Sequence, residues 1–193
     1  MVKIGVLALQ GAVSEHIEIL KNCGVKAVQV KKADKIDDLD GLIIPGGEST
    51  TISRLMSEYG FFAKIRKFAT MGKPIYGTCA GLILMSKKVI DSNIETISVM
   101  DMEVRRNAFG RQIDSMEVDI KIPKISDKEF PAIFIRAPII ENIGKQIEIL
   151  AEVDNYIVMA QQKNLLVSAF HPELSNDNRI HQYFLNLLDK KWR

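Results

Sequence analysis

Pro74-Ile75-Tyr76-Gly77-Thr78-Cys79-Ala80-Gly81-Leu82-Ile83-Leu84-Met85 is the stretch on which the reading of this chain turns. Residues 74–76 begin a strand, 77–81 make a tight turn and 82–85 continue as an apolar helix. A strand that runs straight into a helix through Gly-x-Cys-x-Gly is a nucleophile elbow with cysteine in the place of serine. The glycines answer a physical need: the turn is tight, the nucleophile's backbone is strained, and no side chain fits on either flank. The helix that follows points free N–H groups and its positive end at Cys79, which favours a thiolate nucleophile. The competing reading is a buried structural cysteine in a glycine-bounded turn.

Working outward, residues 3–9 form a continuous apolar run, as in a strand covered on both faces. The run ends at Gln10-Gly11, before a helical period set by Val13, Ile17 and Leu20 and stopped by Gly24. Short strands at 27–30 and 41–44 follow, the second leading into the loop Pro45-Gly46-Gly47-Glu48-Ser49-Thr50, then helical segments at 51–58 and 61–70 split by Gly60. From 96 to 161 the pattern turns strand-like, with Glu117-Val118-Asp119-Ile120-Lys121-Ile122 alternating and an Asp154-Asn155 turn between strands at 148–153 and 156–161. A strand at 165–170 and a helix carrying Ile180, Phe184, Leu187 and Leu188 on one face close the chain. Strands alternating with helices need crossover connections. The expected fold is therefore α/β: one domain over 1–193, with a mixed, mostly parallel open sheet and helices on both faces.

The chain has 193 residues, 47% of them hydrophobic and 26% charged, and is long enough to bury a core without staples. A net charge of +2, with scattered basic residues, argues against nucleic-acid binding. The two cysteines, Cys23 and Cys79, have no metal-ligand or disulfide spacing, so no metal is expected and a reducing cytoplasm is. No apolar stretch approaches the roughly 20 residues of a membrane span, and the first run lacks the features of a signal peptide. No nucleotide or phosphate motif is present, so no cofactor is expected.

A cysteine nucleophile needs a base, and there are three histidines. His16 and His181 fall on the first and last helices and read as exposed or packed residues without a special role. His171 follows a strand, at the carboxyl edge where open α/β sheets bind ligands. With Pro172 extended, Glu173 would point to the same side and hold one imidazole nitrogen while the other faces Cys79. The oxyanion of an acyl transfer would find donors in the Ala80 N–H and in the glycine pair Gly46-Gly47.

Leu42-Ile43-Ile44-Pro45-Gly46-Gly47-Glu48-Ser49-Thr50-Thr51, Gly77-Thr78-Cys79-Ala80-Gly81 and His171-Pro172-Glu173-Leu174 resemble the class I (triad) glutamine amidotransferases, whose sheet is flavodoxin-like. Gly5-Val6-Leu7-Ala8-Leu9-Gln10-Gly11-Ala12, Arg106-Asn107-Ala108-Phe109-Gly110-Arg111-Gln112 and Phe134-Ile135-Arg136-Ala137-Pro138 narrow the resemblance to the glutaminase subunits of pyridoxal 5'-phosphate synthases. One departure is Met116, where that family would carry an aromatic residue. The resemblance implies a Cys79, His171 and Glu173 triad and L-glutamine held by Gly47, Glu48, Ser49, Arg106, Ile135 and Arg136, beside the oxyanion donors read above at Gly47 and Ala80. It also implies that Gln10 lies where a synthase subunit docks in a hetero-oligomer. Glutamine's amino and carboxylate groups call for opposite charges, which Glu48 and an arginine such as Arg106 or Arg136 can supply. Three other readings remain open: a glutaminase feeding another synthase, such as imidazole glycerol phosphate synthase; a cysteine peptidase or related hydrolase on the same fold; and a scaffold that has lost catalysis.

Overall fold

The structure, a computed structural model, describes residues 1–90, 92–107 and 115–188. The first half runs β1 (Lys3–Leu7), α1 (Val13–Asn22), β2 (Lys26–Val30), β3 (Gly41–Ile44), α2 (Ser49–Glu58), α3 (Phe61–Thr70), β4 (Ile75–Thr78), α4 (Ala80–Met85) and β5 (Ser86–Val89). The second half adds β6 (Met100–Arg105), β7 (Ser115–Ile122), β8 (Ser126–Ile135), β9 (Ile139–Ile143), β10 (Glu148–Val153), β11 (Tyr156–Gln162), β12 (Leu165–Ser168) and α5 (Arg179–Asn186). Short 3-10 turns lie at Ala33–Asp38 and Pro172–Leu174.

β2, β1, β3, β4 and β12 pair in that order, all parallel. The sheet continues antiparallel through β11, β9 and β6, takes β10 alongside β11, and ends with β5 parallel to β6. Every residue of β3, β4 and β12 is buried, as strands covered on both faces must be. Two neighbours in β4 show the two covers. Tyr76 packs its ring 5.7 Å from Phe184 of α5, whereas a Cβ at Gly77 would meet Met85 of α4 at 2.8 Å. The mixed, mostly parallel sheet expected from the sequence is the one observed.

Three local differences have simple causes. The first strand stops at Leu7 rather than residue 9, and the last at Ser168 rather than 170, because beyond those positions the chain leaves the ladder to build the site. β5 escaped notice because Ser86-Lys87-Lys88-Val89 shows no alternation: both its ends are buried and both lysines exposed. β7 and β8 form a separate antiparallel hairpin, tied over the end of β12 by the His171 N–H donating to Ile133 O at 2.8 Å and by Phe170 packing on Phe130 and Phe134. Met116 lies opposite Phe134 in that hairpin, partly buried against the core, so the departure there concerns packing.

Candidate active site

The carboxyl ends of β1, β3, β4 and β12 meet at one edge of the sheet. β4 ends at Thr78, and Cys79 turns the chain with φ 47° and ψ −100° into α4. Such a backbone costs roughly 1–3 kcal/mol and persists only where its surroundings fix it. They do so here: the Cys79 N–H donates to Ser168 O at 2.8 Å, and the flanking glycines leave no slack. A Cβ at Gly77 would lie 2.6 Å from the Gly81 carbonyl carbon, and one at Gly81 would lie 2.0 Å from Ile44 O. Cys79 is 8% exposed, its thiol facing Ile135 O at 3.9 Å. α4 is short, so the N-terminal end aimed at Cys79 belongs to six residues only.

His171 and Glu173 come together, though not as the sequence suggested. The chain is not extended through Pro172 but enters the 3-10 turn there, closed by the Leu174 N–H on His171 O at 3.2 Å. Proline at the start of such a turn is favoured, since its fixed φ fits and its missing N–H has no partner to lose. The turn brings the Glu173 carboxylate back under the ring, Oε1 lying 2.7 Å from His171 Nδ1. Nε2 is then left for Cys79, to which the imidazole also hydrogen-bonds. Burial alone would lower the His171 pKa, but the hydrogen bonds to Cys79 and Glu173 and the charges on both lift it to about 10. Burial likewise opposes ionisation of Glu173, yet His16, together with the bond to His171, holds its carboxyl below the ordinary value.

A cavity of about 320 Å³ opens beside these groups. Cys79, His171, Gln10, Gly47, Glu48, Ser49, Arg106, Ile135 and Arg136 all line it, and so do Ile83 and Asn107, which the sequence did not single out. Ala80 and Glu173 stand behind the lining, both buried. Arg136, just past β8, has φ 43°. Glu48 serves first as the N-cap of α2, accepting from the backbone N–H groups of Thr50 (3.1 Å) and Thr51 (2.7 Å). Bonds from the Thr50 and Thr51 hydroxyls, more than from those N–H groups, hold its pKa at about 2. A ligand's amino group would therefore share a carboxylate already engaged, whose Oε1 lies 3.8 Å from Arg106 Nη2.

The segment after β1 clasps the glycine loop after β3. Gln10 Oε1 accepts from the Glu48 N–H at 2.7 Å, and the Ala12 N–H donates to Gly46 O at 3.1 Å. Fixing that carbonyl sets the Gly46–Gly47 peptide plane, with the Gly47 N–H on the side opposite Ala12. Of the sequence motif starting at Arg106, the residues Ala108, Phe109, Gly110, Arg111 and Gln112 lie outside the described residues. Among the described residues no group of three or more His, Cys, Asp or Glu could hold a metal ion. No helix among them is long and apolar enough to cross a membrane.

Of the two states the sequence left open for His16 and His181, exposed or packed, the structure shows the packed one. Both are fully buried, and they contact each other, Nδ1 of His16 lying 3.0 Å from Nε2 of His181. His16 Nε2 lies 3.2 Å from Thr78 Oγ1 and 3.5 Å from Glu173 Oε2. The buried stripe of α1 is His16, Ile19 and Leu20, rotated from the Val13, Ile17 and Leu20 line. The i, i+3, i+4 spacing of those three residues was the available signal.

This fold and this site define an α/β enzyme of the glutamine amidotransferase class. Residues 6–190 match the SNO glutamine amidotransferase family, and the chain belongs to that family. Among its relatives, the pyridoxal 5'-phosphate synthase subunit PdxT of Halalkalibacterium halodurans is 50% identical over 188 residues, covering 97% of this chain and 95% of its own. The protein of the same name from Carboxydothermus hydrogenoformans is 48% identical over 188 residues, covering 97% and 98%. A crystal structure of a glutamine amidotransferase, 42% identical, matches with a TM-score of 0.92 over 96% of this chain and 98% of that one. PurLQS from Thermotoga maritima, 16% identical with a TM-score of 0.72, shares the fold.

Proposed function

We propose that this chain is a single amidotransferase domain that hydrolyses L-glutamine to glutamate and ammonia and passes the ammonia to a pyridoxal 5'-phosphate synthase subunit docked near Gln10, in the cytoplasm. The observation that carries the reading is the convergence of Cys79, His171 and Glu173 beside a cavity that also presents Glu48, Arg106 and Arg136. The names of the relatives support the choice of synthase.

The Cys79 sulfur attacks the side-chain carboxamide carbon of glutamine, and the carbonyl oxygen takes up the charge facing the Gly47 and Ala80 N–H groups. His171 Nε2 gives its proton to the nitrogen, the C–N bond breaks, and ammonia leaves behind a thioester. His171 then accepts a proton from water, whose oxygen attacks the thioester; glutamate departs and the Cys79 sulfur is restored. Glu173 keeps the imidazole in the orientation and tautomer that both steps need. Arg106 and Arg136 suit the substrate's α-carboxylate, for which a planar guanidinium offers paired donors.

The test is glutamate release from L-glutamine with and without the synthase subunit, beside Cys79→Ala. Activity that rises with the subunit and vanishes in Cys79→Ala is the expected result. Release that survives Cys79→Ala would overturn the mechanism, and Cys79-dependent release indifferent to the subunit would overturn the partnership. Cleavage of peptides but not of glutamine would turn the reading toward a hydrolase.

A further inference from the structure

We infer that His16 is a positioning residue, its Nε2–H clamping the free oxygen of Glu173 and the Thr78 hydroxyl so that one imidazole ties together the triad carboxylate, the elbow and the glycine loop. The inference rests on the triad reading proposed above.

Glu173 Oε1 is taken by His171, but Oε2 is buried without a hydrogen bond of ordinary length. The polar nitrogen placed at it is His16 Nε2, at 3.5 Å, with both side chains fully buried. The same nitrogen is 3.2 Å from Thr78 Oγ1, and that oxygen accepts from the Gly46 N–H at 3.0 Å. Thr78 immediately precedes Cys79, and Gly46 immediately precedes Gly47. A single ring edge on α1 therefore reaches the end of β4 and the turn after β12, and through Thr78 Oγ1 the loop after β3.

The proton positions follow from a count of donors. Burial lowers the pKa of His16 despite the nearby Glu173 charge, and burial and then His16 lower that of His181, so both rings are neutral. Each carries one N–H, and the contact between them needs one donor and one acceptor. If His16 Nδ1 donated, its bare Nε2 lone pair would face the Glu173 carboxylate and His181 Nδ1–H would be a buried donor with no acceptor. If His181 Nε2 donates, His16 Nε2–H faces the carboxylate, a lone pair on His181 Nδ1 goes unmatched, and the Thr78 hydroxyl hydrogen turns away from His16. The second arrangement removes the lone pair from the carboxylate and leaves no buried imidazole N–H without an acceptor. His181 thus holds His16 in the tautomer that lets it act on Glu173.

The test compares His16→Phe with His16→Gln in the complex with the synthase subunit, beside wild type and Cys79→Ala. Glutamine can place an N–H donor near the position of Nε2, whereas phenylalanine fills the space without one. Loss of a hydrogen bond to a charged group should lower kcat by roughly ten- to a hundredfold in His16→Phe, with KM little changed, and His16→Gln should recover most of it. Nitrogen NMR of the wild-type complex should show His16 protonated at Nε2. That measurement stands even if the phenylalanine variant fails to fold. Wild-type kcat in a folded His16→Phe, an equal loss in both variants, or protonation at Nδ1 would overturn the inference. Glutaminase activity surviving in Cys79→Ala would instead overturn the triad reading on which it rests.

Discussion

Replacing Gly81 by alanine tests whether the elbow is held by contact rather than by chain flexibility. The added Cβ would lie 2.0 Å from Ile44 O and 2.9 Å from the Ile44 carbonyl carbon, a shortfall of about 1.4 Å against ordinary contact at 3.4 Å. Neither side can yield cheaply. Ile44 is backbone of a strand paired with Gly77, and Gly81 belongs to the helix that begins beside Cys79. α4 must therefore move away from β3 and carry the nucleophile with it. Overpacking of this kind costs roughly 1–3 kcal/mol, a fall of about 2–12 °C in Tm for a domain of this size. A nucleophile displaced by about 1 Å costs roughly a hundredfold in kcat. Gly60→Ala is the control. Gly60 has φ 71° but open space around it, so alanine there pays only left-handed strain of about 1–2 kcal/mol, with unchanged activity. Calorimetry and glutamate release in the complex read both effects. Gly81→Ala with wild-type kcat, or with no greater loss of activity than Gly60→Ala, would refute the argument.

Two further outcomes follow from the site. Glu173→Ala should lower kcat less than His171→Ala, because the first loses orientation and the second the proton carrier itself; equal losses in glutamate release would show that the carboxylate does more than orient. The pH dependence of stability has a defined sign. Folding raises His171 from 6.5 to about 10, so its protonated form stabilises the native state. That contribution is complete below pH 6.5, declines from there to about pH 10 and is absent above. The lowered Glu173 adds stability that is present above 4.5 and lost as pH falls through its folded-state pKa. The Tm difference between wild type and Glu173→Gln should therefore narrow from pH 6.5 to 10, and a constant gap across that window would contradict the assignment.

The sequence made the elbow at Cys79 legible because it is local: strand, glycine, cysteine, glycine and helix are all visible within one stretch. The strands at 41–44 and 148–153 and the helix at 61–70 were legible to the residue, since runs of one period bounded by Gly or Asp-Asn leave little choice. What escaped depends on contacts between distant segments. His16 looks like any polar residue on an amphipathic helix until α1 is laid over the sheet edge and α5 brings His181 to it. Glu48 reads as a free carboxylate until α2 starts beside it and takes up its oxygens. The turn at Pro172 is hidden for a related reason, since proline fits both an extended strand and the first position of a tight helical turn.

Parallel pairing of β4 with β12 is what makes Cys79 and His171 neighbours. Thr78 and Ser168 are register partners, so the two chains leave the sheet side by side, and adjacent strands lie about 4.8 Å apart. One chain turns sharply at Cys79, while the other runs on under the bonds from Ala169 N–H to Val158 O and from His171 N–H to Ile133 O before turning at Pro172. A slip of one residue would send each side chain of β12 to the opposite face and carry His171 away from the cleft. That slip is opposed on both edges, by β11, paired at Met159 with Ser168, and by the Tyr76 hydroxyl, 2.8 Å from Ser168 Oγ. His171 is thus aimed first by the register of buried strands, and its bond to Glu173 Oε1 then orients the ring. Errors in the parallel strands should accordingly reach Cys79, His171 and the Gly47–Ser49 loop together, before they reach Arg106 and Arg136, which follow β6 and β8 into the cleft.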